Sequence, residues 1–264
     1  MYKPKKFAIR WGDLKKSFVV HAAISFVILA LSVTVSHAQV GVETSHWNWT
    51  PEATYHDSVV EIETESGSGT GVLVHIYKDR PVADGFEGLC LTAQHVVGDE
   101  VESGNIKVIY RNGKRAKHCK VVASNMSSDV ALLLVWVPAK VKPVALAKNA
   151  ASKGSSLEFC GLGGGTPLGS LRHFSSTSDS PTNTGKIYAP VPLLPGDSGG
   201  PVFDEQGDVV GIISGGWFWF DGGVKSQLGF AVNVTWPARA CNLDPINTLL
   251  QEVLNESAPA LASK

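Results

Sequence analysis

Three observations predict an all-β chain in two halves, finished by one short helix. Apolar segments are short and recur with turn residues between them at roughly ten-residue spacing, the cadence of barrels and sandwiches. Within several of them apolar and polar residues alternate, as in Val60, Glu61, Ile62 and Glu63, and again in Ile106, Val108 and Tyr110. That alternation turns one face of a strand inward. Helical periodicity appears only at the end, at Ile246, Leu249, Leu250, Val253 and Leu254.

The elements follow in chain order. Residues 39–57 are rich in Trp and Thr without a period and read as an N-terminal arm. From Ser58 the strands begin: one around Val60 and Ile62, then a Gly/Ser turn, then a strand over residues 72–77. Ile106, Val108 and Tyr110 alternate up to Asn112-Gly113, a strong hairpin signal. Val121, Val122 and the run from 130 to 137 continue the series, and residues 138–151 form a crossover to the second half. The Gly-rich stretch 161–169 lacks the GxGxxG pattern in a strand-to-helix context and is no nucleotide site. The serine-rich run up to Pro181 reads as a surface loop. Asp244-Pro245 supplies the cap and first turn of the closing helix. The division is therefore a first half at 58–142, a second at 143–240, and helix and tail at 241–264.

Residues 1–38 are a different material. Lys3, Lys5, Lys6, Arg10, Lys15 and Lys16 precede an apolar stretch at 18–35, which ends in Ser36-His37-Ala38. This is a signal peptide cut after Ala38, or an uncleaved membrane anchor of just sufficient length. Both readings place the remainder outside the cytoplasm, secreted or periplasmic, with the basic residues retained inside. A net charge of −1 gives no sign of nucleic-acid binding. The four cysteines, Cys90, Cys119, Cys160 and Cys241, contain no CxxC pair, so a zinc site is not expected. Export permits the bridges Cys90–Cys119 and Cys160–Cys241; four buried thiols are the alternative.

Chemistry concentrates in GDSGGP at residues 196–201, which sets the Ser198 hydroxyl on a glycine-permitted turn. A serine at neutral pH needs a general base, and the base needs an orienting acid. LTAQHVV supplies His95 after one apolar run, and SSDVALLLV supplies Asp129 before another, 34 and 69 residues from their successors in the order His95, Asp129, Ser198.

With GSGTGVLV (67–74), LTAQHVV (91–97), SSDVALLLV (127–135), GDSGGPVF (196–203), GDVVGIIS (207–214) and LGFAVNV (228–234) in family order, the chain resembles trypsin-like peptidases of the chymotrypsin fold. It is most similar to their HtrA and glutamyl-endopeptidase-like branch, here without a PDZ domain. The resemblance implies two six-stranded antiparallel β-barrels with the site between them, and a serine endopeptidase acting on polypeptides through an acyl-enzyme. It implies His95, Asp129 and Ser198 as the triad, with the N–H groups of Gly196 and Ser198 as the oxyanion hole. Neither metal nor cofactor is called for, and activity is lost on acidification as His95 takes up a proton.

The same resemblance makes Pro192, Leu193 and Ile213 the apolar floor of the S1 pocket, suited to a medium apolar P1 side chain. Ser214, Gly215 and Gly216 become the strand edge that pairs with substrate. Asp197 stands where pancreatic-type trypsins pair an aspartate with a freed N-terminal amine, whereas HtrA-like proteins carry asparagine. Cleavage after Ala38 would free Gln39-Val40-Gly41 for that pair. His173 lies far from the strand that reads a P1 glutamate in glutamyl endopeptidases and reads as a surface residue. The aromatic run 217–220 reads as packing or a subsite rim. Two other readings stand beside the first: a non-catalytic protease-like binding protein, and a membrane-tethered or viral-type processing protease of the same fold.

Overall fold

The computed structural model describes residues 57–98, 105–116, 119–165, 171–180, 185–191, 193–216 and 237–255. Its first sheet holds β1 (Val59–Thr64), β2 (Gly67–Val82), β3 (Gly85–Thr92), β4 (Lys107–Ile109), β5 (Arg115–Ala116), β6 (Lys120–Asn125) and β7 (Val130–Pro138), in the order β5-β4-β1-β2-β3-β7-β6. The second holds β8 (Ser156–Gly161), β9 (Arg172–Thr177), β10 (Lys186–Pro190), β11 (Pro201–Phe203), β12 (Val209–Gly216) and β13 (Pro237–Asn242), in the order β10-β13-β12-β11-β8-β9. All pairings between these strands are antiparallel. Among the described residues two α-helices accompany them, the single turn α1 (Gln94–Val97) and α2 (Leu243–Asn255).

The β7 sequence VALLLVWVP shows why the two curled sheets stay together. Ala131, Leu133, Val135 and Val137 point into the core of the first sheet with Val60, Ile62, Leu73 and Cys90. The alternate residues Val130, Leu132 and Leu134 join Val59, Leu89 and Leu91 in a second cluster, which also takes in Phe203, Val209, Ile212 and Ile246 from the other sheet and α2. A strand buried on both faces has no place for a polar alternate, hence the unbroken apolar run. The second sheet has its own core around Phe159, Ile187, Val202, Val210 and Ile213. Truncating one such leucine to alanine costs about 2–5 kcal/mol.

The crossover stitches the halves by backbone. Val144 donates to Leu73 O in β2 at 2.9 Å, and Ala147 and Val209 exchange N–H groups with Val209 O and Ala145 O, each at 2.9 Å. The Asn112-Gly113 hairpin is present between β4 and β5, with Gly113 at φ 78. Those two short strands bring the first sheet to seven rather than six.

Two local expectations are corrected. The Gly/Ser turn is confined to Glu65 and Ser66, and residues 67–71 already belong to β2, paired with β1 from Thr64↔Gly67 onward. That stretch needs glycine for close approach: a Cβ on Gly69 would lie 2.6 Å from Val96 and 3.1 Å from Ser198 O. The serine-rich run is not a surface loop. Ser175–Thr177 belong to β9. Ser178 and Ser180 are buried, and the Ser180 hydroxyl accepts from the Tyr188 N–H at 2.8 Å. Hydroxyls satisfied within the fold allow these two serines to be interior, while Ser175, Thr177 and Asp179 stay exposed. The apolar stretch 18–35 and the aromatic run 217–220 lie outside the described residues; within them no helix is long and apolar enough to cross a membrane.

Candidate active site

His95 occupies the second position of α1, immediately after β3 ends, with its side chain about half exposed. Asp129 closes the turn that leads into β7, at φ 57. Aspartate tolerates this left-handed conformation better than most residues, at a cost of order 1 kcal/mol. The register of β3 and β7, with Thr92 opposite Ala131, brings the two strand ends together. His95 Nδ1 then lies 2.8 and 3.0 Å from the two Asp129 oxygens, and the His95 backbone N–H donates to Oδ1 at 3.0 Å. A carboxylate at Nδ1 fixes the proton there and leaves Nε2 as the basic nitrogen.

The other Asp129 oxygen receives the Ser214 hydroxyl, which itself accepts from Arg239 Nη2 at 3.1 Å. Burial lifts the Asp129 carboxyl, but the hydrogen bonds from His95 and Ser214 overcome it and hold the group below the ordinary carboxylate value. The shift favours the ionised carboxylate.

Ser198 comes from the second half. Its carbonyl accepts the Thr70 N–H at 2.8 Å, which ties it to β2, beside Val96 of α1. No hydrogen bond joins the Ser198 hydroxyl to His95 among the described residues. Around it the turn is fixed peptide by peptide. Pro195 O accepts from Gly164 N–H at 2.9 Å, and Asp197 O accepts from Gly200 N–H at 3.0 Å. Peptides are planar and trans, so the N–H groups of Gly196 and Ser198 point the opposite way from those carbonyls. Neither finds an acceptor among the described residues, whereas those of Asp197, Gly199 and Gly200 all do. Gly199 is obligatory here: it sits at φ 83, and a Cβ would fall 2.1 Å from Thr70 O and 2.2 Å from Thr92 Oγ1.

Thr70 is a participant that sequence reasoning missed. It is fully buried; its hydroxyl donates to Gly196 O at 2.7 Å and accepts from Leu162 N–H at 3.0 Å. Its own carbonyl receives the Thr92 hydroxyl at 2.8 Å. A polar residue between two glycines in GTG was the only signal. Arg172, a lone cation in a polar stretch, was missed as well: it pairs with Asp197.

The trypsin-like resemblance offered a freed N-terminal amine as one partner for Asp197. Here Arg172 holds that place, with the N–H groups of Gly163 and Leu194 at 2.6 and 2.8 Å; residues 39–41 lie outside the described residues. Burial lifts the Asp197 carboxyl above its ordinary value, against the pull of the Leu194 and Gly163 amides and the Arg172 charge.

The residues expected to set specificity divide. Pro192 lies outside the described residues. Leu193 is half-buried against the second core, and Ile213 lies within that core. Gly215 and Gly216 pair with Arg239 and Ala238 of β13 on one side, while β11 reaches only as far as Ile212 on the other. Among the described residues, the β11 side of 214–216 is therefore an open strand edge. His173 is not a surface residue: it is nearly buried in β9, with Nδ1 2.5 Å from Glu158 Oε1 and Nε2 3.7 Å from Cys160 Sγ. The β8–β9 register sets Cys160 opposite His173, which fixes that contact. The four cysteines are buried free thiols, and burial pushes Cys119 and Cys241 up to about 12.

The model of the trypsin-like peptidase domain family matches residues 69–212, more than half of the chain. The chain belongs to that family. Among solved structures, the active form of the Rv3671c protease from M. tuberculosis is 20% identical with a TM-score of 0.56, covering 79% of this chain and 85% of that one. An inactive form of the same protease is 22% identical with a TM-score of 0.52, over 75% and 90%. The serine endoprotease from Yersinia pestis is 15% identical with a TM-score of 0.54, over 79% and 69%. No curated protein matches the chain. The fold is the chymotrypsin-like pair of curled antiparallel sheets with a short C-terminal helix, and membership of the family supports a peptidase.

Proposed function

We propose that this trypsin-like family member is a serine endopeptidase that cleaves peptide bonds through an acyl-enzyme. In this reading Ser198 attacks the carbonyl carbon, and His95 Nε2 takes the hydroxyl proton and returns it to the leaving amine. Asp129 stabilises the imidazolium. The N–H groups of Gly196 and Ser198 receive the developing oxyanion, each worth about 3–4 kcal/mol of barrier. The polypeptide substrate lies extended along the open side of 214–216 and adds a strand to β12, with a medium apolar P1 side chain near Leu193. The sequence of residues 1–38 supports an extracytoplasmic site of action.

One observation carries the reading: the N–H groups of Gly196 and of Ser198 itself, both without an acceptor among the described residues, lie on the turn of a serine whose carbonyl is tied to the strand beside an Asp-oriented imidazole. Hydrolysis of an internally quenched peptide library tests it. Cleavage at internal bonds, lost in Ser198→Ala, is the expected result; cleavage unaffected by that substitution removes the proposal.

A further inference from the structure

A fully buried carboxylate next to the nucleophile must have its charge held, and what holds it also decides the shape of the turn. The Asp197 side chain is 1% exposed and that of Arg172 13%. We infer that Arg172 is a built-in cation that sets the oxyanion turn, so that the uncut chain is competent without a freed N-terminal amine. The inference rests on the peptidase reading and adds to it a positioning residue and an activation mode.

The placement of Arg172 is rigid at both ends. Its backbone is the first residue of β9, in register with Gly161 of β8, and its guanidinium lies over the Phe174 ring at 4.7 Å. The pair it makes with Asp197 is packed against bare backbone: a Cβ on Gly163 would fall 2.5 Å from Asp197 Cγ and 2.6 Å from Arg172 Nη1. Asp197 in turn gathers both strands of the turn. One oxygen takes the Gly163 N–H, and the other takes the Leu194 N–H together with Arg172. The neighbouring Gly164 N–H holds Pro195 O, the carbonyl whose orientation aims the Gly196 N–H. Arg172 thus acts on the reacting groups through Asp197 and the 163–164 backbone, and touches none of them.

This arrangement replaces a cation delivered by proteolysis with one delivered by a strand. A guanidinium fits the site because its planar fork can stack on Phe174 while donating to a carboxylate. Loss of its charge leaves a buried anion that can be relieved only by opening the turn to water or by taking up a proton.

The test uses the full chain with Met1–Ala38 retained, as checked by intact mass, with an internally quenched peptide as substrate. The uncut protein is expected to hydrolyse it. Arg172→Gln is expected to lower kcat by about tenfold or more with KM changed by less than about twofold, the signature of misplaced transition-state donors. Arg172→Lys, which keeps the charge but loses the planar stack on Phe174, is expected to recover a clear part of the kcat lost in Arg172→Gln, by about threefold or more, without reaching the parent. If Arg172→Gln fails to fold, as judged by near-ultraviolet circular dichroism, Arg172→Lys and the uncut chain carry the test. Wild-type kcat in Arg172→Gln, Arg172→Lys as slow as Arg172→Gln, or hydrolysis that starts only after cleavage near Ala38 each overturns the inference and leaves the peptidase reading standing. A wild-type protein inactive both uncut and cut overturns that reading itself, and the inference with it.

Discussion

Two aspartates serve this site, one from each half, and they are held in opposite ways. Asp129, in the turn before β7 of the first sheet, is partly exposed and receives three donors: the His95 backbone N–H, His95 Nδ1 and the Ser214 hydroxyl. Its carboxyl sits below the ordinary value. Asp197, in the second half, also meets three donors, one of them a guanidinium, yet its carboxyl sits above the ordinary value because burial outweighs them. The number of hydrogen bonds does not decide the sign; access to water does. In the proposed mechanism the more exposed carboxylate keeps a charge that works on a proton, and the buried one keeps the shape of the turn.

The widest separation between the two is expected in catalysis. Asp129→Asn leaves the His95 tautomer unfixed and is expected to lower kcat by about 10⁴-fold with KM little changed, by steady-state kinetics. Next comes Gly199→Ala, where Thr70 O and Thr92 Oγ1 leave no room; it is expected to abolish soluble folded protein or to lower its melting temperature by about 10 °C or more. Thr70→Val removes one donor to Gly196 O and strands the Leu162 N–H. It is expected to cost about 1–3 kcal/mol of unfolding free energy in urea and to slow turnover by about tenfold through the oxyanion turn. Wild-type turnover in Thr70→Val would uncouple the two halves.

The smallest effect is the one that sets the two carboxylates against each other. Asp129, with its lowered value, contributes stability that is complete above the unfolded carboxylate range and is lost as pH falls through its folded value. Asp197, with its raised value, does the reverse: its contribution is complete below the unfolded value and is lost as pH rises through the folded one. Asp129→Asn is therefore expected to flatten the acid side of a stability-against-pH curve. Asp197→Asn is expected to remove the decline just above the ordinary carboxylate range. Identical curves for the two variants would break the comparison.

What the sequence could reveal follows the same division. His95 and Asp129 stand at the ends of apolar runs, and β7 declares itself by apolarity on both faces. GDSGGP marks the turn because glycines are forced by close approach. Partners that reach the turn from a distance leave no local pattern. Thr70 lies 126 residues from Gly196, and Arg172 lies 25 residues before Asp197, so neither shows in periodicity or spacing. That Asp197 could take a cationic partner was readable, but the identity of that cation was not. Segment 67–71 and the serine run were misread for a related reason. Glycine and serine signal turns when exposed, but also fill strands where backbones touch or hydroxyls find internal acceptors.

The central claim, that His95, Asp129 and the Ser198 turn act as one unit, is tested most directly by mapping a fluorophosphonate adduct by peptide mass spectrometry on the folded protein. A single adduct on Ser198, absent from His95→Ala, is the predicted result. An adduct on another residue, or labelling of Ser198 that persists unchanged without the imidazole, contradicts the account.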